Sequence, residues 1–142
     1  MKLIYIAGPY RGPNTWAIEQ NIRRAEDAAA LVWKAGLAAL CPHANSRHMD
    51  GVTTAENFLA GTMEMLRRCD AVMVIDGWKN SSGARAEVAE AMRLNKPVLF
   101  GFVRDPSGNE SVLADLVAGR YLDSVASQNP FEDEYWEGGL AR

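Results

Sequence analysis

The segment AVMVIDGWKNSSGARAEVAEAM, residues 71–92, decides the fold class. Residues 71–75 are continuously apolar, which is typical of a strand buried on both faces. A turn of small residues follows, and the stretch from Ser82 to Asn95 then has the pattern of a helix. A strand that leads directly into a helix is the repeating unit of a parallel α/β sheet.

The same alternation runs along most of the chain. Strands are predicted at residues 3–7, 37–41, 71–75 and 97–103, and helices at 14–35, 56–68, 82–95 and around 110–118. We therefore predict a three-layer α/β/α sandwich, flavodoxin- or Rossmann-like, with a mostly parallel sheet of four to five strands. This single domain is expected to span residues 1–127, and an acidic, aromatic tail follows at residues 128–142.

Composition narrows the class of partner. The 142 residues carry a net charge of −3, which argues against a nucleic-acid polymer or an anionic membrane as the partner. Cys41 and Cys69 lack metal-site spacing, so free thiols in a reducing compartment are expected. The apolar start is too short for a signal peptide, and no run approaches the length of a membrane span. We expect a cytoplasmic protein that binds a small molecule.

The ligand site is expected beyond the carboxyl ends of the strands, where open α/β sheets bind their ligands. Three loops leave those ends: Gly8–Pro13, the polar and irregular Pro42–Thr54, and Asp76–Gly83. Together they supply Gly, Ser, Arg, His and Asp side chains to one edge of the sheet.

The predicted 82–95 helix carries two glutamates that differ in orientation. Glu87 lies within the apolar arc of the helix and is predicted to point toward the sheet, whereas Glu90 lies outside it and is predicted to face solvent. A carboxylate on a buried face is costly unless it is paired or has a chemical role, such as nucleophile or general base. The alternative is that Glu87 reaches solvent or pairs with Arg11 or Arg85.

Two loops have features that favour an anion. Ser81 or Ser82 can cap the helix, and Gly83 allows a ligand to approach the free backbone N–H groups. The turn that contains Arg11 ends at the same sheet edge. A helix cap without a ligand is the alternative, but two such loops beside one carboxylate favour a phosphorylated ligand.

Several motifs, taken in order, resemble the nucleoside 2-deoxyribosyltransferase superfamily, and most closely its 2'-deoxynucleoside 5'-phosphate N-hydrolase branch. The resemblance covers about residues 1–103. The motifs are Ile4-Tyr-Ile-Ala-Gly-Pro-Tyr-Arg-Gly12, Cys41-Pro-His43, Cys69-Asp-Ala-Val72, Gly77-Trp78 and Ser81-Ser-Gly-Ala-Arg-Ala-Glu87.

The resemblance implies a function. The glutamate that matches Glu87 is the family's nucleophile at C1' of the sugar, and the tyrosine that matches Tyr5 orients it; otherwise Tyr5 is a strand aromatic that merely packs. The chemistry is that of a retaining glycosidase and uses no metal or organic cofactor. The implied substrate-binding residues are Gly8, Pro9, Arg11, Gly12, His43, Ser81 and Gly83. His43 is expected to touch the base, unless it is an ordinary surface histidine.

Two departures bear on substrate and turnover. The transferases proper have an aspartate where this chain has Ser81, and a serine there favours a 5'-phosphate over a free 5'-hydroxyl. The family also commonly has an aspartate at the position of Thr62 that assists protonation of the leaving base. Asp76, His43 or Asp50 is the expected substitute, although each is also compatible with an ordinary loop position.

Alternatives of other classes remain. A catalytically silent nucleotide sensor would keep the pocket without the acid, and a flavodoxin- or receiver-like regulatory module would share only the fold. Asp70 is predicted to be structural. The family forms dimers or larger homo-oligomers, so the 128–142 tail is expected either to dock on a partner subunit or to be a frayed terminus.

Overall fold

A computed structural model describes residues 1–100 of the chain. Its sheet has four strands, all parallel, in the order β2-β1-β3-β4. The strands are β1 (Leu3–Ala7), β2 (Ala38–Leu40), β3 (Ala71–Val74) and β4 (Val98–Phe100). The predicted α/β class and parallel sheet are thus confirmed. The end of the fourth predicted strand, the 110–118 helix and the 128–142 tail lie outside the described residues, so the tail's docking stays a prediction.

Four helices connect these strands, and serine, threonine or asparagine caps three of them. They are α1 (Thr15–Lys34), α2 (Pro42–Asn45), α3 (Ala55–Arg67) and α4 (Ser82–Arg93). Asn14, Thr54 and Ser81 each accept a hydrogen bond from a backbone N–H in the first turn of α1, α3 and α4, respectively. Within residues 1–100, no helix is both long and apolar enough to cross a membrane.

The helices cover both faces of the sheet, which makes three layers. Because side chains alternate along a strand, Ile4 and Ile6 of β1 pack into the cluster on the α1 side. Tyr5 and Ala7 pack instead into the opposite cluster, to which α3 and α4 contribute Leu66, Ala84, Val88 and Ala91. This alternation places the side chain of Tyr5 on the face that α4 covers.

The 43–54 segment differs from the prediction of an irregular loop, because it begins within the one-turn helix α2. Pro42 occupies the first turn of that helix, where its fixed φ fits and its missing N–H costs nothing. The backbone N–H groups of Ala44 and Asn45 both donate to the Cys41 carbonyl, at 3.2 and 3.1 Å. A four-residue helix is too short to show a periodic apolar pattern, so composition alone marked this stretch as a loop.

Asp70 has the structural role predicted for it. Its Oδ2 accepts a hydrogen bond from the Leu3 backbone N–H at 2.7 Å, and its own N–H donates to the Leu3 carbonyl at 2.8 Å. The turn before β3 is therefore attached to the start of β1. Both cysteines are free thiols, also as predicted.

The loop after β1 depends on a glycine at position 8. A Cβ placed on Gly8 would lie 2.2 Å from Cγ1 and 2.6 Å from Cδ1 of Ile75, a buried side chain at the end of β3. The close approach of the two strand ends therefore requires the absence of a side chain at this position.

We predict that Gly8→Ala lowers the free energy of unfolding by about 1–3 kcal/mol, because the added methyl overpacks this contact. Urea unfolding monitored by circular dichroism would measure the change. Gly61→Ala in α3 is the matched control, since a Cβ there meets nothing within 4 Å and should stabilise the helix by up to ~1 kcal/mol. Equal stability of Gly8→Ala and the wild type would contradict the close contact.

Candidate active site

A cleft of ≈ 770 Å³ opens beyond the carboxyl ends of β1, β2 and β3. Its walls come from the three predicted loops and from the first turns of α3 and α4. The lining includes Gly8, Pro9, Arg11, Gly12, His43, Ser81, Gly83 and Glu87 of the predicted site residues. Within residues 1–100, no three His, Cys, Asp or Glu side chains are grouped to hold a metal ion.

A hydrogen bond joins the sheet to α4 at the base of this cleft. The Tyr5 hydroxyl donates to Oε1 of Glu87 at 2.7 Å. Tyr5 is fully buried and Glu87 is 8% exposed, and Glu87 also lines the cleft. The predicted inward orientation of Glu87 is confirmed. The structure does not support an ion pair of Glu87 with Arg11 or Arg85. Arg85 donates to the Lys79 carbonyl at 2.9 Å, and no ion pair in residues 1–100 includes Glu87.

Burial controls the protonation of this pair. It raises the pKa of Glu87 from 4.5 to about 7, while hydrogen bonds from Tyr5 and Thr62 act in the opposite direction. Burial also raises the pKa of Tyr5, and the neighbouring Glu87 charge adds to this effect. Tyr5 therefore remains a donor, and Glu87 changes charge near neutral pH.

Thr62 lies beside the same pair, at the position where the superfamily that the sequence resembles commonly has an aspartate. Its hydroxyl donates to the Leu59 carbonyl at 3.0 Å. A hydroxyl has one proton, so Thr62 either keeps this helix bond or turns to Glu87, where its hydrogen bond lowers the pKa of the carboxyl. Thr62 thus brings a hydroxyl, and no carboxylic acid, to this point of the cleft.

Glu90 lies outside the cleft and belongs to a surface ion-pair network. Its carboxylate contacts Arg93 at 2.7 Å and Arg67 at 2.9 Å. These hydrogen bonds, first from Arg93 and then from Arg67, lower the pKa of Glu90 to about 2. The pKa values of the two glutamates of α4 are thus shifted in opposite directions: burial raises that of Glu87, and arginines lower that of Glu90.

The first turn of α4 forms one end of the cleft. Oγ of Ser81 caps the helix by accepting a hydrogen bond from the Ala84 N–H at 3.2 Å. A cap from Ser81 was one of the two predicted possibilities, and a cap from Ser82 was the other. Gly83 has a different reason to be small, because a Cβ there would meet only the Ser81 Oγ, at 4.0 Å. Packing therefore does not require this glycine, and its bare backbone leaves the helix N-terminus open to the cleft.

Arg11 is the one arginine or lysine among the described residues that line the cleft. Within residues 1–100, its guanidinium makes no hydrogen bond or ion pair with another side chain. Its backbone, in contrast, is fixed, because the Arg11 carbonyl accepts a hydrogen bond from Asn21 Nδ2 at 3.1 Å. The charge is free to contact a ligand while its attachment point is held.

Asn21 and Arg24 of α1 connect two of the loops, and neither residue was predicted from the sequence to belong to the site. Asn21 Nδ2 also donates to the Tyr10 carbonyl at 2.9 Å, and its Oδ1 accepts from Arg24 Nη2 at 2.7 Å. Arg24 Nη1 in turn donates to the Asp76 carbonyl at 3.4 Å. One feature of the sequence could have indicated Asn21: it lies beside Ile22, which belongs to the buried face of α1, and a polar side chain at such a position needs hydrogen-bond partners.

His43 is buried in the cleft wall, and its polar edge serves the neighbouring loop. Its Nε2 lies 3.0 Å from the Pro9 carbonyl, which only accepts, so Nε2 carries the proton. Burial lowers the pKa of His43, and the neutral ring leaves Nδ1 as a buried acceptor without a partner in the described residues. His43 lines the cleft, but its Nε2 is bonded and its Nδ1 is buried, so the ring has no free donor for a ligand and its contact with a base stays a prediction.

Asp76 was predicted as one of the possible acids that protonate the leaving base, but it does not line the cleft. It is exposed, and Gly77 next to it has φ 88°, a left-handed conformation that turns the chain at this point. Asp50, the other acidic candidate, does line the cleft and accepts a hydrogen bond from the Tyr10 hydroxyl at 2.8 Å. The structure thus favours Asp50 over Asp76 as the carboxylate that a ligand can reach.

Comparison with known protein families assigns most of the chain to one of them. The model of a family described as "Domain of unknown function (DUF7768)" matches residues 2–101. The chain belongs to the DUF7768 family. The DUF7768 match includes every described strand and helix and all three loops of the cleft. No curated protein matches this DUF7768 chain.

The two glutamates of α4 predict opposite effects on stability. The pKa of Glu87 is raised, so the folded state binds more protons between pH 4.5 and 7 and wild-type stability falls as pH rises through this window. Glu87→Gln should remove this loss and be more stable than wild type above pH 7. The pKa shift from 4.5 to about 7 is about 2.5 units, so at ~1.4 kcal/mol per unit the gain amounts to at most about 3.5 kcal/mol and disappears by pH 4.5.

Glu90→Gln is the matched control in the same helix. The pKa of Glu90 is lowered to about 2, so its contribution is present above 4.5 and is lost as pH falls toward 2. This variant should be less stable than wild type at pH 7, and the difference should shrink in acid. Urea unfolding at pH 2.5, 4.5 and 8 covers the windows of both carboxyls. Changes of the same sign at pH 8 would contradict the assignment of the two carboxyls.

Proposed function

We propose that this protein is a nucleoside 5'-monophosphate N-glycosidase or 2'-deoxyribosyltransferase with Glu87 as its nucleophile. The observation that carries the proposal is the 2.7 Å hydrogen bond from Tyr5 to Glu87 inside a cleft at the carboxyl edge of the sheet. A buried carboxyl oriented by a tyrosine hydroxyl matches the pair that the superfamily resemblance assigns to catalysis. Its pKa of about 7 allows the ionised form to exist at neutral pH.

The proposed reaction follows the double displacement of retaining glycosidases. Tyr5 holds Oε1, which leaves Oε2 to attack C1' of the sugar. The new Oε2–C1' bond forms as the C1'–N bond breaks, and the electron pair of the C1'–N bond leaves with the base, which takes up a proton from water in the open cleft. Water then attacks C1' of the glycosyl ester, the Oε2–C1' bond breaks, the attacking water releases its proton to solvent and the Glu87 carboxylate is regenerated. A second base that attacks C1' in place of water, and likewise releases its N–H proton to solvent, completes a transfer.

The first turn of α4 and Arg11 are suited to the 5'-phosphate. The backbone N–H groups of the first turn lack carbonyl partners in their own helix, and the helix dipole favours negative charge there. Ser81, Ser82 and Gly83 bring this turn to the cleft, and Arg11 adds a positive charge. A serine at position 81, rather than the transferases' aspartate, avoids repulsion of a phosphate.

A nucleotide sensor without turnover is the second candidate. Two observations favour it. Thr62 stands where the nucleoside 2-deoxyribosyltransferase superfamily commonly has an acidic aspartate, and Asp76 does not line the cleft. Binding needs the phosphate end of the cleft, whereas cleavage also needs a proton for the leaving base. The two candidates therefore share a ligand and differ in whether the base is released.

Base release from nucleotides tests the proposal. We predict release from a nucleoside 5'-monophosphate, little or none from the matching nucleoside, and at least a ~1,000-fold lower kcat for Glu87→Gln. Free base would be measured by chromatography, with and without an added acceptor base. Glu90→Gln is the control and should keep wild-type turnover. Nucleotide binding without release would favour the sensor, and the absence of both would reject the two candidates.

The pH profile separates a nucleophile from a structural carboxyl in the same assay. Because ionised Glu87 attacks, kcat/KM should rise with pH through about 7, the pKa of Glu87 in the ligand-free protein. The Tyr5 hydrogen bond lowers the pKa of Glu87, so Tyr5→Phe should move this limb to higher pH as well as reduce kcat. A Tyr5→Phe limb at the wild-type position would show that Glu87 is not the titrating group.

Gly83→Ala tests the phosphate end. The alanine should stabilise α4 by up to ~1 kcal/mol, yet its methyl would occupy the approach to the helix N-terminus and weaken nucleotide binding by about tenfold or more. Isothermal titration with a nucleoside 5'-monophosphate gives the affinity, and urea unfolding gives the stability. Gly61→Ala should show the same stabilisation with unchanged affinity; equal affinities of the two variants would place the phosphate elsewhere.

A further inference from the structure

Tyr10 and Asp50 form a polar pair that the proposed reaction does not use. The Tyr10 hydroxyl donates to Asp50 Oδ2 at 2.8 Å, and the bond joins the loop after β1 to the loop that precedes α3. Both residues line the cleft. Tyr10 also packs near the His43 ring, with 5.9 Å between ring centroids. The pair is therefore fixed from two sides, and it faces the same space as Glu87.

The hydrogen-bond chemistry of this pair is one-sided. The one hydroxyl proton of Tyr10 is already donated to Asp50. What remains for a ligand is the Tyr10 oxygen and the free lone pairs of the carboxylate, and all of these are acceptors. Burial, followed by the Asp50 hydrogen bond, raises the pKa of Tyr10 to about 12, so the proton stays in place. A ligand edge beside the pair must donate.

The strand order places the segment that carries Asp50 at a distance from the proposed phosphate end, while the loop of Tyr10 leaves β1, the strand between the two. The Asp50 loop follows β2 and the α4 turn follows β3, with β1 between the two strands. Neighbouring strands are ~4.8 Å apart, so the ends of β2 and β3 are separated by about 10 Å. This separation is comparable to that between the phosphate of a nucleoside 5'-monophosphate and the outer edge of its base. A nucleotide with its phosphate at α4 would thus direct its base toward the pair.

We propose that Asp50, held by Tyr10, selects nucleotides whose base carries an exocyclic amino group. This inference rests on the proposed function and adds the class of base. An amino group donates to the carboxylate, whereas a carbonyl at the same position would direct a lone pair at a negative charge. Guanine and cytosine are the donors to compare, with hypoxanthine and uracil as the partners that lack the amino group.

The test uses two matched pairs of deoxynucleotides, dGMP with dIMP and dCMP with dUMP. For the wild type we expect kcat/KM to favour the amino member of at least one pair by about tenfold or more, because a site that accepts N–H bonds discriminates against analogues without them. The pair that shows the preference identifies the ring. If the protein binds nucleotides without turnover, the ratio of dissociation constants from isothermal titration replaces that of kcat/KM.

Three variants separate selection from a structural role of the loop contact. Asp50→Asn presents an amide that both donates and accepts, so the ratio should fall to near one or invert while the member without the amino group is retained. Tyr10→Phe should give an intermediate ratio. Asp27→Asn makes the same chemical change on an exposed residue of α1 that does not line the cleft, and it should leave the ratio unchanged.

The outcomes distinguish this inference from the proposed function. Release or binding with equal preference for both members of each pair overturns the inference and leaves the proposed function standing. Asp50→Asn and Tyr10→Phe that weaken both members equally show that the contact only holds the loops, which also overturns it. Failure of every nucleotide to bind or react rejects both the inference and the function on which it rests.

Discussion

The hydrogen bond between Tyr5 and Glu87 joins the central strand of the sheet to the helix that packs over it, and most of the cleft is arranged around this contact. A glutamate on the buried face of α4 would be strongly disfavoured without a donor, because removal of a carboxylate from water is costly. The donor comes from the middle of β1, where strand alternation directs Tyr5 toward α4 and the two isoleucines beside it toward α1. The position of the charge thus follows from the register of a strand.

Around this contact, the cleft divides into regions of different hydrogen-bonding character. The first turn of α4 provides backbone donors, whereas Asp50 and Tyr10 provide acceptors. The positive charge of Arg11 lies near Tyr10, whose pKa it acts to lower. An elongated ligand with an anionic end and a donating end complements this arrangement, and a ligand with the opposite polarity does not. Electrostatic complementarity of this kind determines orientation more than affinity.

The sequence predicted the features that arise from regular periodicity and missed a short, irregular one. The alternation of apolar runs predicted the parallel sheet, and the helix pattern of residues 82–95 predicted the inward direction of Glu87. The one-turn helix α2 has too few residues for a pattern. Asp76 follows a strand but is exposed and does not line the cleft, so its role as the leaving-group acid stays a prediction.

Contacts across loops were also beyond the sequence. Nothing in the local pattern around Tyr10 indicates that its hydroxyl reaches a residue forty positions away. The two carbonyls to which Asn21 donates, those of Tyr10 and Arg11, lie in the loop after β1 and outside the helix of Asn21. The resemblance to a known superfamily drew attention to Thr62, but only the packing of α3 against α4 places that residue beside Tyr5 and Glu87. Long-range side-chain pairs depend on topology, which a single sequence specifies only indirectly.

Asn21 has a consequence for how such a protein changes over time. One side chain on α1 holds the carbonyls of both Tyr10 and Arg11 and therefore supports two regions of the cleft at once. Glu87 and Tyr5, in contrast, are carried by a helix and a strand that do not depend on it. Substitutions at the loop side chains can therefore diversify ligand preference while the Tyr5–Glu87 pair stays intact, provided that the asparagine beneath them is kept. Such separation gives a lineage a route to new ligands that leaves the buried pair unchanged.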